Sequence, residues 1–357
     1  MVSLFWIGFV VLILLMLALD LGVFHKEAHV VTVHEAVRWF AIWLSVGLLF
    51  GVFVYFAYEG HWLGLGMAAD PVDGVINDGW TALSKYLTGY VVEESLSVDN
   101  IFVIAMIFQY FAVPPLYQHR VLFWGILGAL VLRGTMIGIG ATLVAEFHWI
   151  LYVFAAFLIV TALRMLFWES EDKPPDQNVI VRIARRLFPV TVRFHGEHFM
   201  VRAGSAAALQ AESPGHERLP DVVVDRSPVG KLLLTPLAIT LIMVETTDLI
   251  FAVDSIPAIF AITGDPFLVF TSNVFAILGL RSLYFALAGM VTKFRYLKVA
   301  LALVLLVVGV KMLVAGWLRT VIGEHFNLVL LAVVVSILVV GVLASLWADR
   351  KENQATV

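Results

Sequence analysis

Long apolar runs separated by short polar connections dominate this chain. Windows of about 20 apolar residues, the length that crosses a bilayer, predict nine transmembrane helices. The expected fold is therefore an all-α membrane protein of about nine transmembrane helices. The predicted spans are 4–24, 36–58, 82–111, 119–145, 148–168, 232–262, 267–291, 297–318 and 325–347.

Charged landmarks recur in the same order in two groups of three spans. They are Asp99, Arg133 and Arg164 in spans 3 to 5, and Asp254, Arg281 and Lys311 in spans 6 to 8. Each group holds an odd number of spans, so the second group enters the membrane upside down relative to the first. Such a 3+3 inverted repeat is typical of secondary transporters, whose substrate sites lie near the midplane where the repeats meet.

The repeat divides the chain into five parts. Residues 1–81 hold two N-terminal helices and an external loop, and 82–168 form the first three-helix repeat. Residues 169–231 form a cytoplasmic loop, 232–318 the second repeat, and 319–357 a C-terminal transmembrane helix and tail.

Composition supports a multi-pass membrane protein. Hydrophobic residues make up 61% of the 357 residues and charged residues only 14%, whereas soluble domains carry about a quarter charged residues. The mean hydropathy is +0.95. The absence of cysteine from the sequence excludes disulfides, thiolate metal sites and cysteine nucleophiles within it.

The basic residues predict the orientation. Most of the 23 Lys and Arg residues fall in the connections after spans 1, 3, 5 and 7 and in the C-terminal tail. The positive-inside rule then places the N-terminus outside and the C-terminus in the cytoplasm. In the cytoplasmic loop, Arg182, Arg185 and Arg186 share one face of a predicted amphipathic helix on the inner leaflet. His195 and His198 are expected at the surface.

Two acidic segments lie within the apolar spans. Aligning L-S-V-D-N with F-A-V-D-S pairs Asp99 with Asp254, and the same register pairs Glu93 with Asp248. A charged residue at the centre of a membrane helix costs about 2.5–3.5 kcal/mol, so these carboxylates need cations, protons or water. Two related acidic segments predict one site that is built twice.

A bend in span 6 is required if all its acids serve one site. Glu245 and Asp248 share a helix face, whereas Asp254 points about 180° away from Glu245 on a straight helix. Pro257 is expected to bend the span, because it cannot donate a hydrogen bond to the carbonyl of Val253. Carbonyls freed in this way are good cation ligands.

The available ligands predict a hard divalent cation. Carboxylate, amide, hydroxyl and carbonyl oxygens suit Mg²⁺, Ca²⁺ and Mn²⁺, and neither acidic segment contains a histidine. The carboxylates exceed the charge of one dication, which favours exchange against protons. Arg133 and Arg281 are expected as counter-ions. Arg164 and Lys311 are expected to extend their side chains toward the membrane surfaces.

Three long motifs resemble the TerC family. They are E-x-S-L-S-V-D-N at 93–100, E-T-T-D-L-I-F-A-V-D-S-I-P-A-I-F at 245–260 and T-S-N-V-F-A-I-L-G-L-R at 271–281. The resemblance covers nearly the whole chain, although 205–228 is longer than expected, and it implies Mn²⁺ efflux across the bacterial inner membrane. The residues at its acidic motif positions are Glu93, Asp99, Asn100, Glu245, Asp248, Asp254, Ser255 and Asn273.

The leading hypothesis is an alternating-access exporter of Mn²⁺ driven by proton antiport. Its expected partners are the lipid bilayer, a divalent metal ion and protons, with no cofactor and no nucleic acid. A Ca²⁺ exchanger stays open, because counting carboxylates does not separate the two ions. The rival is a non-transporting membrane scaffold, insertion factor or metal-stress resistance factor that docks partners on 169–231. An enzyme is disfavoured, since no nucleophile–base pair or cofactor motif occurs.

Overall fold

The computed structural model describes residues 2–22, 31–147, 149–167, 179–205, 207–208, 221–287, 296–322 and 326–355. Its helices are α1 (Val2–Gly22), α2 (Val33–Glu59), α3 (Gly79–Tyr110), α4 (Pro115–Glu146), α5 (Ile150–Phe167), α6 (Val179–Leu187), α7 (Val222–Arg226), α8 (Pro236–Phe260), α9 (Pro266–Leu287), α10 (Leu297–Ile322) and α11 (Phe326–Ala355). Two short strands, β1 (Met200–Arg202) and β2 (Leu232–Leu234), pair antiparallel.

Seven helices in these ranges are long and apolar enough to cross a membrane: α2, α4, α5, α8, α9, α10 and α11. The expected number of nine is not reached by this measure. In α1 the apolar stretch Trp6–Ala18 is shorter. The helix α3 is 32 residues long, but it contains Lys85, Glu93, Glu94 and Asp99. These four charged residues make it too polar to be counted by hydropathy.

The helices begin where local chemistry satisfies their free N–H groups. The Thr32 hydroxyl accepts from the amide of Glu35 at the start of α2, and the Asp78 carboxylate accepts from the amide of Thr81 at the start of α3. Thr235 caps α8 and is followed by Pro236, which needs no N–H partner in the first turn. These caps set the ends of the helices that carry the predicted site.

The helix α9 forms the centre of the bundle and is buried along almost its whole length. It packs against α2, α3 and α4, while α8 packs against α4, α3 and α5. The helix α10 packs on α5, and α11 packs on α10 and α3. Residues of α3, α4, α8 and α9 therefore meet in the interior, where the sequence predicts the site.

The loop between α5 and α8 is partly folded against the bundle. Residue Val181 of α6 is buried in the apolar core beside α8. His195 is also buried, with its Nε2 3.6 Å from Asp221 Oδ2, so its predicted surface position is wrong. Asp221 accepts hydrogen bonds from three backbone amides and forms a polar centre that the sequence pattern did not reveal.

Span 6 differs from its prediction at both ends. Residues Leu232–Leu234 form strand β2, so the helix begins only at Pro236. The predicted bend at Pro257 does not divide the helix, because α8 runs continuously to Phe260 and Pro257 lies in its last turn. A proline so near the end disturbs few hydrogen bonds, and Asp254 keeps the direction that a regular helix gives it.

A buried lysine holds the external loop 60–78 against the start of α3. Lys85 Nζ lies 2.8 Å from Asp70 Oδ2, 2.9 Å from Asp73 Oδ2 and 2.7 Å from Asn77 Oδ1. Burial alone would raise the pKa of Asp70, but Lys85 and the hydrogen bond from Thr263 outweigh it and lower that pKa. We call Lys85, Asp70, Asp73 and Asn77 the outer network.

The turn between α8 and α9 is tied to this outer network. The Thr263 hydroxyl and the Gly264 amide both donate to Asp70. The Tyr58 hydroxyl of α2 donates to Asp265 Oδ2 at 2.7 Å, and burial is the main reason that the pKa of Asp265 is raised. Lys311 of α10 donates to the Ala261 carbonyl at 2.7 Å and is buried, so the expected extension of Lys311 to the membrane surface is wrong.

Replacing Lys85 by Met is expected to destabilise the protein by about 3–5 kcal/mol, because two buried carboxylates lose their cation. The apparent unfolding temperature of the purified protein in detergent measures this. The triple variant K85M/D70N/D73N should recover part of the loss. The exposed Lys231→Met is the matched control, and equal unfolding temperatures for K85M and K231M would contradict the importance of the outer network.

The same ion pair predicts a loss of stability in acid. Since the folded pKa of Asp70 lies below its ordinary value, the stabilisation is complete above the ordinary range of aspartate, about 3.9. It is lost as the pH falls through the lowered, folded pKa. Unfolding temperatures measured from neutral to acidic pH should therefore fall more steeply for the wild type than for K85M/D70N/D73N.

Candidate ion site

Polar side chains form one buried face of α3. Glu93, Ser97 and Asn100 follow one another at spacings of four and three residues, which places them on the same side of the helix. All three are buried in the interior of the bundle. This face turns toward α8, α9 and α4.

The helix α8 repeats this arrangement. Asp248 and Ser255 are seven residues apart and both are buried, as are Glu93 and Asn100 at the same spacing on α3. The Asn100 amide donates to Asp248 Oδ1 at 2.9 Å. The two acidic segments that sequence reasoning paired thus meet directly through their side chains.

Arg133 of α4 lies between the two segments. Its Nη2 is 2.9 Å from Asp248 Oδ1, and its Nη1 forms an ion pair with Glu93 Oε1. Nη1 also donates to the Asn273 side-chain oxygen of α9 at 3.3 Å. With 3% of its surface exposed, Arg133 connects three other helices through one guanidinium. We call Arg133, Glu93, Asp248, Asn100 and Asn273 the arginine cluster.

Glu245 lies one turn before Asp248 on α8 and interacts electrostatically with it. Its carboxylate contacts Gly128 of α4 so closely that a Cβ at that position would overlap it. The buried Glu245 Oε2, Asn100 Oδ1 and Ser255 Oγ have no hydrogen-bond partner in the described part of the chain. Buried polar atoms are normally satisfied, so these three oxygens are available to a ligand.

Asp99 and Asp254 contact other groups. Each lies six residues after the acid of the arginine cluster on its own helix, a spacing that rotates it by about 120°. Asp99 interacts with Lys298 of α10, and Asp254 interacts with Thr161 and Arg164 of α5. The predicted meeting of all the acids in one place is therefore not seen, because Asp99 points away from Glu93 on α3 and α8 does not bend to bring Asp254 back.

Arg281, the second expected counter-ion, is buried on α9. Its Nη1 lies 3.1 Å from His119 Nε2 of α4. A role for Arg281 as the counter-ion of an acid stays a prediction.

Sequence reasoning did not assign Glu94. Both of its carboxylate oxygens are buried and make no hydrogen bond among the described residues. It lies on α3 next to Glu93 and approaches Gly279 of α9. The two consecutive glutamates within an apolar span were the available signal. Adjacent residues of a helix point in different directions, so Glu94 must lie in an environment different from that of Glu93.

The arginine cluster suits a cation more than it suits a reaction. It contains two carboxylates and two amides around one arginine, with the Glu245 carboxylate beside it. No group of three or more His, Asp or Glu residues is close enough to hold a metal ion in the described ranges. A dication would therefore need Glu93, Asp248 and Glu245 to approach one another, with Asn100, Ser255 and Asn273 as oxygen donors.

Comparisons with known proteins agree with a membrane protein of one family. The profile of the integral membrane protein TerC family matches residues 78–353. A membrane protein of Myxococcus xanthus is 45% identical over 314 residues, which cover 88% of this chain and 84% of that protein. No solved structure matches the chain.

Two relatives match over almost their whole length and carry the name membrane-bound redox modulator Alx. The protein of Photorhabdus laumondii is 40% identical over 355 residues, covering 98% of both chains. The protein of Escherichia coli K12 is also 40% identical over 355 residues, covering 98% of this chain and 97% of its own.

Replacing Arg133 by Met is expected to destabilise the bundle by about 3–5 kcal/mol, because Glu93 and Asp248 lose their buried cation. Thermal unfolding in detergent measures the loss. Adding E93Q and D248N to R133M should restore much of the stability, since no buried charge is then left uncompensated. Arg202→Met, on the exposed side of β1, is the control. An R133M protein as stable as R202M would show that the ion pairs contribute little.

Proposed function

Because the chain belongs to the TerC family of integral membrane proteins, we propose that it is a secondary transporter exporting Mn²⁺ across the bacterial inner membrane. The main support for this proposal is that Glu93 and Asp248 both pair with one buried arginine. These two acids occupy corresponding positions of the two acidic segments. The expected mechanism is alternating access with proton antiport.

The chemistry of the site supports a hard divalent cation. Every candidate ligand atom is an oxygen, and the buried oxygens without partners on Asn100, Ser255 and Glu245 are of the kind that Mn²⁺, Mg²⁺ and Ca²⁺ bind. Arginine cannot lose its proton under ordinary conditions, so Arg133 is a permanent cation in the site. It compensates one of the three acids when no metal ion is bound.

Charge balance supports exchange against protons. Glu93, Asp248 and Glu245 together carry three negative charges when ionised, which balances Arg133 and one dication. Without the dication two negative charges are uncompensated, and protons would supply the missing positive charge. Protonation of the acids would therefore keep the charge of the site balanced when the metal ion is released outside.

The packing of the helices supports two related halves. The helix α3 of the first half packs against α9 of the second half, and α8 of the second half packs against α4 of the first. Likewise α5 packs against α8 and α10 against α3. Exchanging α3, α4 and α5 with α8, α9 and α10 converts each pair into the other, which is the pattern expected of a 3+3 inverted repeat.

The name of the Alx relatives refers to redox modulation. This sequence contains no cysteine, so it offers no thiol for disulfide exchange. Moving a metal ion changes the ion content of a compartment without any thiol in the transporter. Export of Mn²⁺ is the function that the oxygen ligands of this chain support.

Purified protein in liposomes is expected to move Mn²⁺ and to move protons in the opposite direction. E93Q and D248N should each lower the Mn²⁺ flux at least about tenfold, because each removes one of the two acids that meet at Arg133. Dyes that respond to Mn²⁺ and to pH inside the vesicles measure both fluxes. D99N and D254N test whether the second acid of each segment also takes part.

Arg202→Gln serves as the control for these variants, because Arg202 is exposed on β1, far from the arginine cluster in sequence. Mn²⁺ flux that E93Q and D248N leave at the R202Q level would contradict the proposed site. Flux of Ca²⁺ without flux of Mn²⁺ would replace the proposal by a Ca²⁺ exchanger.

Two glycines of α4 give a second test. A methyl group at Gly128 would displace the Glu245 carboxylate, whereas nothing lies within 4 Å of a Cβ at Gly138. G128A is therefore expected to lower the Mn²⁺ flux severalfold and G138A to leave it unchanged. Both proteins should be compared for thermal stability, and equal flux through folded G128A and G138A would exclude Glu245 from the path.

A further inference from the structure

The short helix α6 has three different faces. Val181 and Ala184 turn toward the apolar core beside α8. Ile180, Ile183 and Leu187 form an exposed apolar strip, with Leu187 69% exposed. Arg182, Arg185 and Arg186 form an exposed basic side. A helix with its apolar strip and its basic side both uncovered is typical of the interface of a membrane.

A cavity opens beside the basic side of α6. It has a volume of about 480 Å³ and lies between the end of α3, the helix α6 and the start of α8. Arg185 and Thr191 contribute polar groups, while Tyr110, Phe111, Val190 and Ile239 contribute apolar walls. The cavity thus combines a guanidinium with apolar surface at an edge of the bundle.

The arginines of α6 have no acidic partner in the part of the chain that the structure describes. The helix contains no acidic residue, and none of its three arginines forms an ion pair with any residue in the described ranges. Exposed Arg120, by comparison, pairs with Glu197 at 2.7 Å. A basic face of this kind, next to an uncovered apolar strip, is complementary to an anionic phospholipid.

We propose that the cavity between α3, α6 and α8 binds the phosphate of an anionic phospholipid through Arg185. Arg182 and Arg186 attract the same leaflet, and Ile180, Ile183 and Leu187 enter the acyl region. The concentration of basic residues on this side of the chain marks it as the cytoplasmic leaflet. The lipid would contact the ends of α3 and α8, the two helices that carry Glu93 and Asp248.

The guanidinium geometry explains why arginine suits this position. Arginine can donate two parallel hydrogen bonds to a phosphate, and lysine can only offer a point charge. Free phosphate would use the same contact but would leave the apolar walls of the cavity uncovered. A phospholipid satisfies both the basic and the apolar part of the surface, and for that reason it is the proposed occupant.

Binding can be measured without any transport assay. Delipidated protein is titrated with short-chain phosphatidylglycerol, with phosphatidylcholine of the same chain length, or with inorganic phosphate, and bound lipid is counted by native mass spectrometry. The wild type should prefer phosphatidylglycerol, and the preference should weaken at high salt. R185Q should lower the affinity for phosphatidylglycerol about fivefold, and R185K should restore only part of it.

Matched variants separate the possible occupants. R202Q removes an exposed arginine that does not line the cavity and should bind like the wild type. V192S, at an exposed apolar residue that lines the cavity, should weaken binding of phosphatidylglycerol but not of inorganic phosphate, because only the lipid uses the apolar walls. Unfolding temperatures verify that each variant is folded.

Three outcomes would overturn the proposal. The first is equal affinity of R185Q and wild type for phosphatidylglycerol. The second is equal binding of phosphatidylcholine and phosphatidylglycerol, and the third is binding of inorganic phosphate that matches the lipid. Retention of a protein partner by this face, with no lipid preference, would assign the surface to protein docking. None of these outcomes depends on whether the protein carries Mn²⁺.

Discussion

One buried guanidinium sets the electrostatics of the whole interior. Arg133 reaches from α4 to an acid on α3, an acid on α8 and an amide on α9. In the membrane interior no water compensates the acids if they separate from Arg133. These helices therefore keep their relative positions only while the Arg133 guanidinium lies among them. Movement of either half requires another cation or protons at the same place. A dication with oxygen ligands would meet that requirement, and this is how the proposed transport would use the ion pairs that hold the helices together.

The outer network holds the turn between α8 and α9 against the start of α3. Asp70 accepts hydrogen bonds from the turn between α8 and α9 while Lys85 holds it from α3. Asp248 lies 13 residues before Ala261 on α8, roughly 20 Å along a rigid helix. The helices α8 and α9 that meet at this turn carry Asp248 and Asn273 of the arginine cluster. The buried hydrogen bond of Lys311 to Ala261 adds a contact with α10 at the same turn.

Sequence patterns predicted the features that local chemistry determines, and missed those that depend on contacts between helices. Apolar runs of bilayer length located most helices, and the repeated acidic segment located Glu93, Asn100 and Asp248. The bend predicted at Pro257 does not divide α8, because Pro257 lies in the last turn of the helix. Lys311 and His195 were misplaced because a buried carbonyl and the buried Asp221 came from segments distant in sequence. The sequence windows included α3 as span 3, and the count of apolar helices in the structure leaves it out because of Lys85, Glu93, Glu94 and Asp99.

The second pair of acids shows how the two halves interlock. Asp99 of α3 faces Lys298 on α10, and Asp254 of α8 faces Arg164 on α5. Each acid thus lies against a helix of the other half, and exchanging the halves converts one helix pair into the other. The basic residues themselves do not correspond, since Arg164 lies in the last turn of α5 and Lys298 near the start of α10. The exchange of helix partners is therefore a property of how the helices pack. The basic side chains near the two acids come from different positions along their helices. A carrier whose halves rock against each other must loosen both contacts together with the arginine cluster. Of these three charge groups only the arginine cluster is buried, since Lys298 and Arg164 are exposed and their acids half-buried, so separating the charges of the arginine cluster costs the most.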